Sequence, residues 1–467
     1  MCTKTGLDGK TINGNPVTTD NPEWPIYFCN FHLAWERRKL TNSPSGNTTT
    51  KGEGIRIGHP DTGFTDHPEL LEGNLLTELG RDFFTFFGII DSEREARDKL
   101  LYYIIFIQHP SHGTALESTI ISKEGHPNKN EPNKYPKYVE ENYVSGVAPD
   151  ASLIPYRVTK SVVLNDWTLL ETVIGGRSLY RLTKAIKDCI KKNVGVISIS
   201  LGGFFAHTGK ATDCIKEAVD NGIIIIAAAG QFFRKKKPAF PGKSKWTICV
   251  SACNHKKTVL ESAFIGKEVD VVAPGVDIWN ARTKGIRCNV NGNCDDSKNT
   301  FYETGIPYQE EYSVAPDGKG TSYATAITAG ACAIWLSYWG REWLMSKYVE
   351  KIEKGETDEG VKIFEYDYSN TYKLFKFLIE CTCDTPDNWK VDENGAGILN
   401  VNSLLDVDLK KIDDNGKTIA VKKLINDYFI WRCGVKEKSG QFSSIDNFID
   451  VLTEGRNKLG VIINGPN

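Results

Sequence analysis

The chain reads as an α/β fold, a mostly parallel twisted sheet with helices on both faces, and three observations predict it. Six short apolar runs, Gly54–Gly58, Leu153–Val158, Val194–Ile199, Ile223–Ile226, Thr247–Val250 and Val269–Val272, are rich in β-branched residues and mostly do not alternate. Strands buried on both faces of a parallel sheet have that pattern. Stripes at helical spacing lie between the runs: Leu182, Ala185, Ile186, Cys189 and Ile190, then Cys214, Ala218 and Val219. Strand–helix alternation also requires right-handed crossovers, which place helices over both faces of the sheet.

Taken in order, residues 1–30 form an N-terminal segment and 31–406 a single α/β domain. Gly113–Ser122, between the first and second runs, reads as a helix. Residues 123–145, rich in Asn, Lys, Pro, Glu and Tyr, read as a surface-loop insertion. Residues 285–319, with Gly, Asn, Asp and Pro, read as a second long loop, the kind that acts as a lid or binding loop. Tyr323–Trp339 reads as a buried helix, and 341–393 as a charged insertion with helical patches. Residues 407–467 read as a small α+β extension. Asp414-Asn415-Gly416 is a hairpin signal there. Ile445, Phe448, Ile449 and Leu452 follow Ser443-Ser444 as a capped helical stripe.

Composition narrows the function. The 467 residues are 40% hydrophobic and 25% charged, an ordinary globular balance. A net charge of −2 argues against a general nucleic-acid binder. No run reaches the roughly 20 apolar residues of a membrane span, and residues 1–10 have no signal-peptide core, so a cytoplasmic protein is expected. The 12 cysteines lack framework spacing. Cys249, Cys253 and Cys332 read as small buried thiols. The close pairs Cys288/Cys294 and Cys381/Cys383 are expected to be free in a reducing compartment.

Four strings carry chemistry: Asp61-Thr62-Gly63, His112-Gly113-Thr114, Ala228-Ala229-Gly230-Gln231 and Gly320-Thr321-Ser322. Serine hydrolysis needs a nucleophilic hydroxyl, a base held in one tautomer, and donors for the developing oxyanion. Taken singly, Asp61 reads as a turn aspartate, His112 as a surface histidine with His109 as competitor, and Ser322 as a helix cap. A serine at a helix start also exposes its own N–H, which the helix does not use. Asp61 and Gln231 each follow an apolar run, where open α/β sheets place functional groups.

Together with His67-Pro-Glu-Leu70, Gly146–Ala151, Ser200-Leu201-Gly202-Gly203, Val271–Gly275 and Gly320–Thr325, these strings resemble the subtilisin-like serine proteases, in that family's order. Gly395–Asn400 resembles its closing segment. The resemblance implies a three-layer subtilisin-like fold and a serine endopeptidase acting through an acyl-enzyme. It assigns Asp61 as orienter, His112 as general base, Ser322 as nucleophile, and Gln231 with the Ser322 N–H as oxyanion donors. Ser200, Leu201, Gly202, Ala228, Ala229 and Gly230 would bind an extended protein or peptide substrate.

The chain departs from that pattern in places. Gln231 stands where the family usually has Asn, so its amide reaches one methylene further. His59-Pro60 replaces the usual apolar pair before the aspartate. The family often binds calcium after the histidine helix; the glutamates of 123–145 match no oxygen cage, so neither metal nor cofactor is expected. No folded prodomain is evident, which leaves control to the loop 285–319, the C-terminal extension or a regulatory partner. Arg234–Lys237 suggests a preference for acidic substrate residues, beside the alternative of a solvated charged face. Two other functions share these residues: a peptide-maturation transpeptidase, and a pseudoprotease binding module with a weakened oxyanion hole.

Overall fold

The computed structural model describes residues 11–12, 15–16, 18–40, 49–71, 74–83, 95–98, 101–103, 109–125, 143–160, 177–203, 208–231, 237–283, 286–288, 312–356, 362–414, 416–437, 452–455 and 457–458. Its centre is a seven-stranded sheet. In chain order the strands are β1 (Arg56–Asp61), β2 (Arg81–Asp82), β3 (Ser152–Arg157), β4 (Val196–Ile199), β5 (Ile224–Ala228), β6 (Ile248–Cys253) and β7 (Val271–Pro274). The spatial order is β2-β3-β1-β4-β5-β6-β7, and every neighbouring pair is parallel. All six apolar runs are strands of this sheet. Only the two-residue β2 was not anticipated, being too short to carry a pattern.

From β1 the chain fills one side of the sheet, placing β2 at the edge and then β3 between it and β1, before crossing to the other side for β4 to β7. The crevice at this reversal, at the carboxyl ends of the strands, is where such sheets hold their sites. Helices α2 (Arg177–Lys191) and α3 (Gly209–Asp220) cover one face, burying Leu182, Ala185, Ile186, Cys189, Cys214 and Ala218 against Ile154, Ile197 and Ile225. Helices α1 (His112–Ile121) and α4 (Thr321–Trp339) cover the other, with Leu116, Ile120, Ile327 and Trp335 against Ile57, Val196 and Ile226. From Tyr323 to Trp339 every residue of α4 is buried. The Gly395–Asn400 segment lies along the β7 edge, where Leu399 N donates to Val272 O at 2.9 Å.

Where 285–319 was expected to be structureless, its described parts are strands. Tyr312–Gly318 runs antiparallel to Ile278–Thr283, and Ile286–Cys288 pairs with Leu101–Tyr103. Within 341–393 lie the helix Arg341–Tyr348, an exposed strand pair Glu350–Glu356/Lys362–Asp367, and helix α5 (Ser369–Cys381). Among the described residues on either side of Asn415 there is no strand pair where a hairpin was expected: a helix Leu409–Asp414 precedes and helix α6 (Thr418–Glu437) follows. Val421, Ile425, Tyr428 and Phe429 of α6 are buried against α5 and the main core at helical spacing, and that burial decides against a strand. Of the stripe expected near the C-terminus, Leu452 is buried in a helical turn; Ser443 to Ile449 fall outside the described residues. Cys249, Cys253, Cys332, Cys381 and Cys383 are buried and form no disulfide. The Cys288 side chain and Cys294 are likewise outside the described residues.

A buried ionic cluster bolts α6 to the sheet. Asp270 Oδ1 accepts from Lys376 Nζ at 2.6 Å and Arg432 Nη2 at 2.9 Å, and its Oδ2 accepts from Cys249 N at 2.7 Å. Glu380 Oε1 accepts from Arg432 Nε at 3.0 Å, and its Oε2 from the Tyr428 hydroxyl.

Candidate active site

The Asp-Thr-Gly and His-Gly-Thr strings are locked together. Asp61 ends β1 and His112 opens α1. A Cβ on Gly113 would sit 2.1 Å from the Gly63 carbonyl oxygen, so only glycine permits this approach. Gly113 N donates to Thr62 Oγ1 at 3.0 Å, and Thr65 N donates to Thr114 Oγ1 at 2.9 Å. The small and hydroxyl residues of both strings thus fix the spacing of the two functional side chains.

His112 Nδ1 lies 2.7 Å from Asp61 Oδ1, which also accepts from Thr62 N at 2.7 Å. A carboxylate acceptor there places the proton on Nδ1 and leaves the Nε2 lone pair for chemistry. Asp61 is fully buried. Burial pushes its pKa up, but the charge and hydrogen bond of His112, then His59 and the Thr62 N–H, outweigh it and hold the carboxyl below its usual range. His109, the competitor, stands beside His112 with ring centroids 6.4 Å apart; burial and the His112 charge lower its pKa. The carboxylate contact belongs to His112.

Ser322 is the second residue of α4, so its N–H has no acceptor within the helix. Its hydroxyl donates to the Ser200 carbonyl at 3.2 Å, and Ser200 Oγ donates to the Ser322 carbonyl at 3.1 Å. The structure therefore joins Asp61 to His112 and Ser322 to Ser200; the Ser322 hydroxyl is turned to Ser200 and not to His112. Gly230 N donates to Thr321 Oγ1 at 3.2 Å. These bonds tie the ends of β4 and β5 to the start of α4. Leu201, Ala228 and Ala229 are buried, and Gly202 and Gly230 are half-buried at the same ends.

The Gln231 amide lies against the chain entering Ser322. Oε1 accepts from Thr321 N at 2.9 Å, and Nε2 reaches the Lys319 carbonyl at 3.5 Å. A Cβ on Gly320 would meet this amide at 2.9–3.0 Å, which explains glycine there, at φ +153°. The extra methylene is absorbed by capping α4, a contact the sequence did not foretell.

Sequence reasoning assigned no role to several neighbours. His59 is fully buried on β1 and Glu117 on α1, and neither side chain has a hydrogen-bond partner. Period two in the strand, with His59 two residues before Asp61, was the available signal. His67 is a structural tie: burial drives its pKa down to about 3, and neutral Nε2–H donates to Ser313 O at 3.1 Å. Of the basic run, Lys237 is exposed, and Arg234 to Lys236 lie outside the described residues. Among the described residues no three His, Cys, Asp or Glu side chains converge as a metal site, and no helix is long and apolar enough to cross a membrane.

The chain is similar to known proteins. The model of the subtilase family matches residues 52–351. An intracellular serine protease of Paenibacillus polymyxa is 28% identical over 261 residues, covering 54% of this chain and 66% of the relative. Subtilisin NAT of Bacillus subtilis subsp. natto is 33% identical over 152 residues, 32% of this chain and 36% of the relative. The match thus spans less than two thirds of either relative. A protease structure from Pseudoalteromonas arctica PAMC 21717 shares the fold, with a TM-score of 0.53 and 17% identity, over 82% of this chain and 96% of that one.

Proposed function

The chain belongs to the subtilase family, and on that premise we propose that it is a serine endopeptidase that cleaves protein or peptide substrates through an acyl-enzyme. The observation that carries the reading is the 2.7 Å contact of His112 Nδ1 with buried Asp61; Ser322 stands at the start of the buried helix α4.

In this reading Ser322 Oγ turns from the Ser200 carbonyl toward His112 when substrate arrives; such hydrogen bonds are commonly loose in the free enzyme. His112 Nε2 takes the Ser322 proton as Oγ bonds to the scissile carbonyl carbon. It then gives that proton to the leaving amine. Water repeats the sequence to release the acid, and Asp61 stabilises the imidazolium throughout. The Ser322 N–H and the second Nε2–H of Gln231 stabilise the oxyanion. Because the Thr321 N–H fixes Oε1, the amide is oriented before substrate binds. Substrate backbone pairs with Ser200–Gly202 and Ala228–Gly230 as an added strand.

The chemistry is carried by side chains and backbone, with no cofactor. The relatives named intracellular support a cytoplasmic location. The ionic cluster makes α6 part of the core and favours the segment before Ser322 as the place for control. A fluorophosphonate probe tests the reading: it labels the wild type and fails to label Ser322→Ala. Labelling equal in both removes the peptidase reading and leaves a binding module. Capture of the acyl group by an added amine would instead mark a transpeptidase.

A further inference from the structure

The sheet face beneath α1 and α4 carries a polar row in an otherwise apolar layer. Ile57, His59 and Asp61 alternate onto this face of β1. On β4, Val196 and Ser198 do the same, and the register Gly58↔Ile197 places Ser198 beside His59. Both ring nitrogens of His59, Asp61 Oδ2 and Ser198 Oγ are buried without a hydrogen-bond partner. An unmade buried hydrogen bond costs about 1–3 kcal/mol per group, so four together in one place ask for an explanation. His59 Nε2 is 3.9 Å from Asp61 Oδ2.

The two hydrogen bonds to Asp61 both converge on Oδ1, from Thr62 N and His112 Nδ1. Neither restrains the other oxygen. A carboxylate held at one oxygen is free to swing about the Cβ–Cγ bond, and a swing breaks the contact that orients His112. We propose that His59 is a positioning residue of this site: its Nε2–H, 3.9 Å from Asp61 Oδ2 in the free protein, closes onto that oxygen and holds the carboxylate plane while His112 carries the Ser322 proton. The inference rests on the serine-peptidase reading.

The surroundings decide the tautomer. Burial lowers the His59 pKa, with the His112 charge acting the same way, while Asp61 and the Ser198 carbonyl oppose it. The ring is neutral and has one N–H for two acceptors, Asp61 and that carbonyl. A charged acceptor forms the stronger bond, about twice that of a neutral one. This puts the proton on Nε2 and leaves Nδ1 as an acceptor. From α1, His112 faces His59, and Glu117 faces Asp61. Helix α4 brings no charged side chain.

His59→Phe keeps a buried ring and removes the donor, whereas His59→Gln restores an amide N–H. Rates are taken on the full chain per fluorophosphonate-titrated site, so misfolded protein is not counted. The Phe variant is expected to lose about tenfold or more in kcat, because sub-ångström misplacement acts on the chemical step, with KM within about twofold. The Gln variant is expected to regain most of the loss. Wild-type kcat in the Phe variant, or equal losses in both, overturns the proposal. If the Phe variant yields no titratable sites, His59→Met against His59→Gln poses the same comparison at matched shape. Absence of Ser322-dependent labelling in the wild type itself would be a failure of the peptidase reading rather than of His59.

Discussion

Among the described residues, the buried ionisable side chains around Asp270 and those around Asp61 are built on opposite plans. Around Asp270, two acids and two bases sit together, and all four carboxylate oxygens of Asp270 and Glu380 have donors. Around Asp61, both His59 nitrogens, both Glu117 oxygens and Asp61 Oδ2 have none. The first arrangement recovers its desolvation cost through pairing and fixes α6 to the sheet. The second leaves polar capacity unused beside the groups that would move protons. Perturbed, under-satisfied groups concentrate where chemistry happens. On the proposed function, the first cluster serves stability and the second serves turnover.

The largest expected effect breaks the first cluster. Arg432→Leu leaves Lys376 as the one cation of the cluster for both carboxylates, and removing one partner of a buried pair destabilises by about 3–5 kcal/mol. Chemical denaturation should show that loss while kcat per titrated site stays within about twofold. A fall in kcat with stability intact would dissolve the distinction.

Next, Gln231→Ala should lower kcat by about 10²–10³-fold, the range for losing an oxyanion-hole donor measured in subtilisin, a member of this family. It should alter stability by only about 1 kcal/mol, through the lost α4 cap. An unchanged kcat would make Gln231 solely a cap.

The smallest effect is at Glu117. Burial, then Asp61 and Asp98, push its pKa well above 4.5, so the folded protein holds this proton more tightly than the unfolded chain does. The stabilisation is complete below the unfolded value and is lost as pH rises through the folded one. Glu117→Gln removes the ionisable group, so wild type should lose stability relative to the variant as pH climbs from that range. Parallel stability curves across pH would contradict the raised pKa.

Much of this was legible in the sequence. Strands such as Ile223–Ile226 carry their own signal, because burial on both faces demands β-branched runs. The triad strings were legible as a set, since Gly63, Gly113 and Gly320 stand where backbones or side chains approach closely. The helical character of 409–437 was not. Asp-Asn-Gly between short apolar runs fits a hairpin or a helix–turn–helix, and only packing of Val421, Ile425 and Phe429 decides. The Gln231 cap was hidden for a similar reason: its partner, the Thr321 N–H, lies 90 residues away.

The central claim, that Ser322 is the nucleophile served by His112 and Asp61, is tested most directly by peptide mass mapping of the fluorophosphonate adduct. The account predicts one adduct per chain, on Ser322, formed at a rate that falls steeply in His112→Ala and Asp61→Asn. An adduct on another residue, or labelling of Ser322 unaffected by those two substitutions, would contradict it.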